Sequence, residues 1–212
     1  MTRARTGLPS IVRMNAFGRA VTNNFARAFA LHHYLVPQML RLGGSLDGSR
    51  VLEVGCGWGV STELILDEMG AAEVDALDLD PIMVDKARQR LDDRAHVEAG
   101  DMTDLSAPDA SYDAVLDFGA IHLVPEWRRA ASEVSRVLAP AGRYFFEEIV
   151  GRLYRDIMPL ATGRRIEGGF NEDAYLGELD RIGLSVDGAL RPGLVVLSGT
   201  VGDLVGVARK RT

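Results

Sequence analysis

Residues 51–59 read Val-Leu-Glu-Val-Gly-Cys-Gly-Trp-Gly, a short apolar strand running straight into three glycines at alternate positions. Glycines placed where a strand ends let backbone approach a ligand closely at the carboxyl edge of a sheet. The spacing is G-x-G-x-G, whereas the dinucleotide fingerprint is G-x-G-x-x-G, which presents a helix N-terminus squarely to a pyrophosphate. A loop with the shorter spacing points to a ligand without that phosphate group. Glycine is also used freely in purely structural turns, so the loop needs support from the rest of the chain.

Downstream, the chain alternates strand and helix. Val60, Leu64 and Met69 follow at helical intervals, with Gly70 as a stop. Residues 74–77 form a second strand, and Asp80-Pro81 offers an N-cap followed by proline at the first helical position. Met83, Ala87 and Leu91 line one face of that helix. Strands three and four are expected at residues 95–99 and 112–116. Trp127, Ala131, Val134 and Leu138 then make a helical face that Pro140 and Gly142 end. A fifth strand spans 144–149. Asn171 caps a helix through Tyr175, Leu176, Leu179 and Ile182, closed by Gly183. Strand-like runs at 194–197 and 204–208 finish the chain. This order implies a mostly parallel sheet with helices on both faces.

Composition bounds the rest. With 212 residues, 47% hydrophobic and 25% charged, the chain suits one domain with one core. No apolar stretch approaches 18 residues, so no transmembrane segment is expected. Cys56 is the single cysteine, which excludes an intrachain disulfide and favours a reducing, cytoplasmic setting. The net charge of −6 argues against a nucleic-acid partner. Residues 1–46 nevertheless carry Arg3, Arg5, Arg13, Arg19, Arg27 and Arg41 with no acid, which leaves −12 for the remainder. An Arg-rich opening can be a transit peptide, but its pattern reads better as folded. After a frayed first ten residues, Met14, Phe17, Val21, Phe25 and Ala28 form an apolar stripe that must be buried against something. A second short helix over 36–42 ends at Gly43-Gly44. The chain is thus expected to be a single domain. Residues 1–46 form a helical cap or lid, 47–150 a ligand-binding core, and 151–212 an insert with the final strands. The basic first helix also permits peripheral contact with a membrane.

Several residues carry candidate chemistry. Asp78 closes the second strand, where an acid can hold both hydroxyls of a ribose, or simply start a turn. Asp80 already caps the helix, which frees Asp78 for a ligand. Asp101 and Met102 follow the third strand, as an acceptor for an adenine amino group and a packing surface for its ring, or as a plain Gly-Asp turn. Either Glu147 or Glu148 faces the pocket at the end of strand five, or both are solvated. Cys56 reads as a small filler between glycines. Asp117-Phe118-Gly119 spells a kinase triplet with none of the accompanying kinase motifs. The histidines lack metal spacing, so no metal is expected.

Together, Glu53 to Gly59, Asp78-Leu79-Asp80-Pro81, Gly100-Asp101-Met102, Tyr112-Asp113-Ala114-Val115, Ile121-His122 and Leu138-Ala139-Pro140-Ala141-Gly142 resemble the class I S-adenosylmethionine-dependent methyltransferases. The likeness is greatest to the small-molecule branch containing the ubiquinone/menaquinone-biosynthesis enzymes. It covers residues 45–150 well and the rest loosely. Two positions depart from the pattern: Leu123 stands where a second histidine often follows His122, and Ala141 replaces a glycine. The resemblance implies an α/β, Rossmann-like sheet of seven strands, order 3-2-1-4-5-7-6, with strand seven antiparallel. It implies S-adenosylmethionine as cofactor, with Glu53, Gly55, Cys56 and Gly57 around its methionine end. Asp78 and Leu79 would lie at the ribose, Asp101 and Met102 at the adenine, and Phe118 near the sulfonium.

Methyl transfer from a sulfonium is an in-line displacement, so alignment is the main task. A hydroxyl or acidic-carbon acceptor also needs a general base. His122 is the best-placed candidate, with Glu148 and Tyr154 behind it; His122 equally reads as pocket lining. The resemblance favours a small-molecule acceptor such as a lipid, a quinone-like compound or a secondary metabolite. The competing readings are a protein or nucleic-acid methyltransferase, a binding protein without catalysis, and a nicotinamide oxidoreductase. The chain lacks an Asn/Asp-Pro-Pro-aromatic run after strand four, which disfavours the nucleic-acid enzymes. The glycine spacing disfavours the oxidoreductase.

Overall fold

The computed structural model describes residues 15–150, 170–192 and 204–212. Seven strands form one sheet in the order β3-β2-β1-β4-β5-β7-β6. They are β1 (Arg50–Val54), β2 (Glu73–Asp78), β3 (His96–Ala99), β4 (Tyr112–Phe118), β5 (Leu138–Glu148), β6 (Leu184–Leu190) and β7 (Leu204–Lys210). β7 runs antiparallel to both its neighbours, and the remaining pairs are parallel. The carboxyl ends of β1 to β5 therefore share one edge, where glycine loops and acids collect.

Helices cover both faces. Ala16–Thr22 (α1), Phe25–Ala30 (α2) and Val36–Gly43 (α3) precede the sheet, with one turn of π-helix at Leu31–Leu35. α4 (Val60–Asp67), α5 (Pro81–Leu91), α6 (Trp127–Val137) and α7 (Glu172–Arg181) follow. Alternation along β1 sends Leu52 and Val54 into the core under α6 and α7, and Val51 into the core under α3 and α4. Asp80 Oδ1 accepts the Ile82 N–H at 3.0 Å, and Asn171 Oδ1 accepts the Ala174 N–H at 3.0 Å. Both expected caps are thus in place. No helix among the described residues is long and apolar enough to cross a membrane.

Three expectations need correction. The segment through Phe17 and Phe25 is not one helix with a buried apolar stripe. Asn23 and Asn24 break it, and each caps or closes a turn with its side chain. Phe17 is 57% exposed and Phe25 83%, whereas Arg27 is buried. β5 starts at Leu138, six residues early, because Leu138 pairs with Tyr112 before a bulge re-registers the strand at Ala114 and Arg143. β6 was not foreseen: its Ser185, Asp187 and Gly188 dilute the apolar pattern of an edge strand. The frayed opening, Met14, Tyr154, the insert over 151–169 and the run at 194–197 lie outside the described residues.

Candidate active site

β1 ends by tying itself to β2. The Gly55 and Cys56 N–H groups both donate to the Leu77 carbonyl, at 2.8 and 3.0 Å. Gly55 adopts φ +77°, and a Cβ there would lie 2.3 Å from that of Ala120, so the loop packs directly on the turn after β4. Gly57, at φ +53°, donates its N–H to Asp78 Oδ2 at 2.9 Å, while Asp78 Oδ1 accepts from Asp80 N–H at 2.8 Å. Asp78 thus braces the loop and the turn together, and burial raises its pKa. Leu79 is half-buried beside it. Cys56 is buried, with its thiol held protonated by burial, as a filler would be.

Glu53 is wholly buried. Thr62 Oγ1 donates to its Oε2 at 2.5 Å, and its Oε1 has no hydrogen-bond partner. Burial pushes its pKa up to about 7. An acceptor left this way is costly unless a donor completes it.

Asp101 takes both the backbone N–H and the hydroxyl of Thr103 on Oδ1, at 2.8 Å each. It therefore does cap its turn. The Met102 methyl lies 3.8 Å from the Cβ position of Gly55, which links the third strand's loop to the first.

Beyond β4 and β5 lies a buried polar cluster. Phe118 is 9% exposed, and its carbonyl accepts from Arg27 Nη2 at 3.1 Å. His122 sits in the 3₁₀ turn Ile121–Leu123, with Nδ1 2.6 Å from Glu148 Oε2. That oxygen also accepts the His122 N–H at 3.2 Å. Neither glutamate of the strand-end pair is solvated: Glu148 holds His122, and Glu147 forms a buried ion pair with Arg27, whose Nη1 lies 2.8 Å from Oε1. Asp117 accepts the Ala120 and Ile121 N–H groups, and burial beside Glu148 raises its pKa well above the usual value. Tyr144 donates to Asp117 at 3.3 Å and meets Tyr175 at 2.8 Å.

The expected site residues within the described stretches therefore fall along one edge, from β3 round to β5. Sequence reasoning missed Asn23, Arg27 and Asp117. Asn23 Oδ1 accepts the Trp58 N–H at 3.3 Å and sits over Gly57. Arg27 and Asn23 carry no local mark, because their partners are far away in the chain. Asp117 was noticed only in the Asp117-Phe118-Gly119 triplet, which lacks its companion motifs and gave it no role.

The chain matches the methyltransferase-domain family over residues 51–142. It is 39% identical over 106 residues to the probable phthiotriol/phenolphthiotriol dimycocerosates methyltransferase 2 of Mycobacterium ulcerans, covering 49% of this chain and 41% of that one. It therefore spans only about two-fifths of that relative's length. The malonyl-[acyl-carrier protein] O-methyltransferase of Serratia marcescens is 30% identical over 176 residues, 83% of this chain and 67% of that one. An S-adenosylmethionine-dependent methyltransferase from Mesorhizobium loti superposes with a TM-score of 0.70 at 23% identity, covering 85% of this chain and all of that one. With the strand order and the glycine loop, these matches establish that the chain belongs to the S-adenosylmethionine-dependent methyltransferase family.

Proposed function

We propose that this chain transfers a methyl group from S-adenosylmethionine to a small, lipid-like acceptor that must lose a proton, a hydroxyl or an acidic carbon. The observation that carries the reading is the buried His122–Glu148 pair, held at the same sheet edge as the glycine loop. A base fixed by a carboxylate is of use to an acceptor with a proton to remove, and of little use to one already ionised.

The residues present suit the donor. Glu53 Oε1, buried without a partner, offers an acceptor for an ammonium. Gly55 and Gly57 add no side chain of their own to the loop; in this reading Asp78 holds the ribose, and Asp101 and Met102 take the adenine. When bound, the donor supplies an electrophilic methyl group on a sulfonium. The chain's own work is then positional. Glu148 orients the imidazole, His122 takes the acceptor proton on Nε2, and Phe118 and Phe170 exclude water.

One relative, named for phthiotriol dimycocerosates, supports a hydroxyl-bearing, lipid-like acceptor. The other is named for oxygen methylation of a malonyl group, whose free oxygen is a carboxylate, so it supports a small acyl acceptor without favouring a base. In this reading residues 1–46 cap the site, 47–150 hold the donor, and 151–212 supply acceptor contacts and the last strands. A single cysteine fits a reducing, cytoplasmic setting.

The test is transfer of labelled methyl groups to a panel of amphiphilic alcohols, phenols, β-dicarbonyl compounds and carboxylic acids. Turnover on the first three classes supports the proposal. Turnover on carboxylates alone, or donor binding with no transfer to any class, refutes it.

A further inference from the structure

Asp117 lies wholly buried at the end of β4 and acts on His122 from two sides. The first is the backbone. Its Oδ1 accepts the Ala120 N–H at 2.7 Å and its Oδ2 the Ile121 N–H at 3.2 Å. Those residues lead into the 3₁₀ turn Ile121–Leu123 that carries His122, so the carboxyl fixes where the turn starts.

The second is Glu148. Asp117 stands opposite Phe146 in the parallel pairing of β4 with β5. Side chains alternate along a strand, so Tyr144, Phe146 and Glu148 share one face of β5. Tyr144 donates to Asp117 Oδ2 at 3.3 Å, and the Asp117 carboxyl is hydrogen-bonded to that of Glu148. Tyr175 of α7, 2.8 Å from the Tyr144 hydroxyl, closes the cluster.

Two carboxyl groups can share a hydrogen bond only when one of them holds a proton, because an ionised carboxylate has no donor. Glu148 Oε2 is already the acceptor for the His122 ring and the His122 N–H, at 2.6 and 3.2 Å. Burial and the neighbouring Glu148 both favour the neutral form of Asp117. Asp117 is therefore the donor of the pair.

We propose that Asp117 is a positioning residue that keeps its proton: its carboxyl sets the His122 turn through the backbone, and its O–H sets Glu148, so ring and carboxylate meet in one geometry. Its catalytic consequence rests on the reading of His122 as the base; the positioning itself does not, and is measured without an acceptor.

Long-range proton–nitrogen NMR of labelled protein, recorded above the titration of the ring, shows which ring nitrogen carries the proton, and His122→Gln identifies the signal. The wild-type ring should carry it on Nδ1 alone, toward Glu148. Asp117→Ala, shown to be folded, should mix the two tautomers. It should also lower kcat on an alcohol or phenol by at least about tenfold, part of the about 10²–10⁴-fold that a positioned base supplies. Asp117→Asn offers an N–H in place of the O–H and keeps an acceptor for Ala120, so it should restore the Nδ1 tautomer and most of the rate. Independently of the alanine variant, the infrared difference between wild type and Asp117→Asn should show the loss of one protonated carboxyl. A folded Asp117→Ala with the wild-type ring, an Asp117→Asn with mixed tautomers, or no protonated carboxyl lost in the infrared overturns the proposal. Tautomers that respond as expected while kcat stays fixed uphold the positioning and refute only the base reading.

Discussion

Glu148 Oε2 receives two hydrogen bonds from one residue, the His122 ring at 2.6 Å and the His122 backbone N–H at 3.2 Å. A ring that donates Nδ1–H to this oxygen has Nε2 as its basic nitrogen. His122→Gln retains a side-chain amide but no base. It should lower kcat by about 10²–10⁴-fold on an acceptor that must lose a proton, with donor affinity unchanged. Steady-state rates alongside calorimetry check this, and a fall of only a few-fold would make His122 pocket lining.

Glu53 ties stability to pH. Its native pKa of about 7 lies above the ordinary 4.5, so the folded state holds the proton more tightly than the unfolded chain does. Stability from this group is therefore present at low pH and lost as pH rises from about 4.5 through about 7. Glu53→Gln should stabilise the unliganded protein by about 1–3 kcal/mol at pH 8 and hardly at all at pH 4. Melting curves at the two pH values decide it; equal shifts at both would contradict the assignment.

Arg27 joins the N-terminal segment to the sheet. Arg27→Met would remove the guanidinium from buried Glu147 and from the Phe118 carbonyl, a change worth about 3–5 kcal/mol if the segment stayed docked. The segment should instead undock. Amide exchange across residues 15–30 should then rise in the variant, while β4 and β5 stay protected. In the wild type, S-adenosylhomocysteine should raise protection over the same residues if the segment closes on the donor.

Ala141 occupies the left-handed region, φ 62°, where the family pattern has glycine. Removing the Cβ relieves strain of about 1 kcal/mol, offset in part by the unfolded-state entropy of glycine. Ala141→Gly should raise the melting temperature slightly and leave activity unchanged. A lower melting temperature would show that the methyl group packs usefully.

The central strands were legible because parallel strands buried on both faces read as apolar runs, and the glycines and Asp80-Pro81 mark where they stop. Glu53, Asp78 and Asp101 were legible for the same reason, since each sits at a fixed offset from such a stop. The N-terminal segment misled because apolar periodicity reports a face, not what covers it. Phe17 and Phe25 repeat at helical spacing yet point outward, while Arg27 is buried by a carboxylate 120 residues away. A long-range ion pair leaves no periodic trace. β6 was missed because edge strands tolerate polar residues and glycine.

The central claim, a donor site built from the ends of β1 and β2, is tested most directly by calorimetric titration with S-adenosylmethionine. The wild type should bind at one site per chain and give no heat with a nicotinamide dinucleotide. Glu53→Gln and Asp78→Ala, each shown to be folded, should each weaken binding by about 10- to 150-fold, as expected for losing a hydrogen bond to a charged group. A wild-type protein that does not bind S-adenosylmethionine, or two folded variants that bind it as the wild type does, would contradict the account.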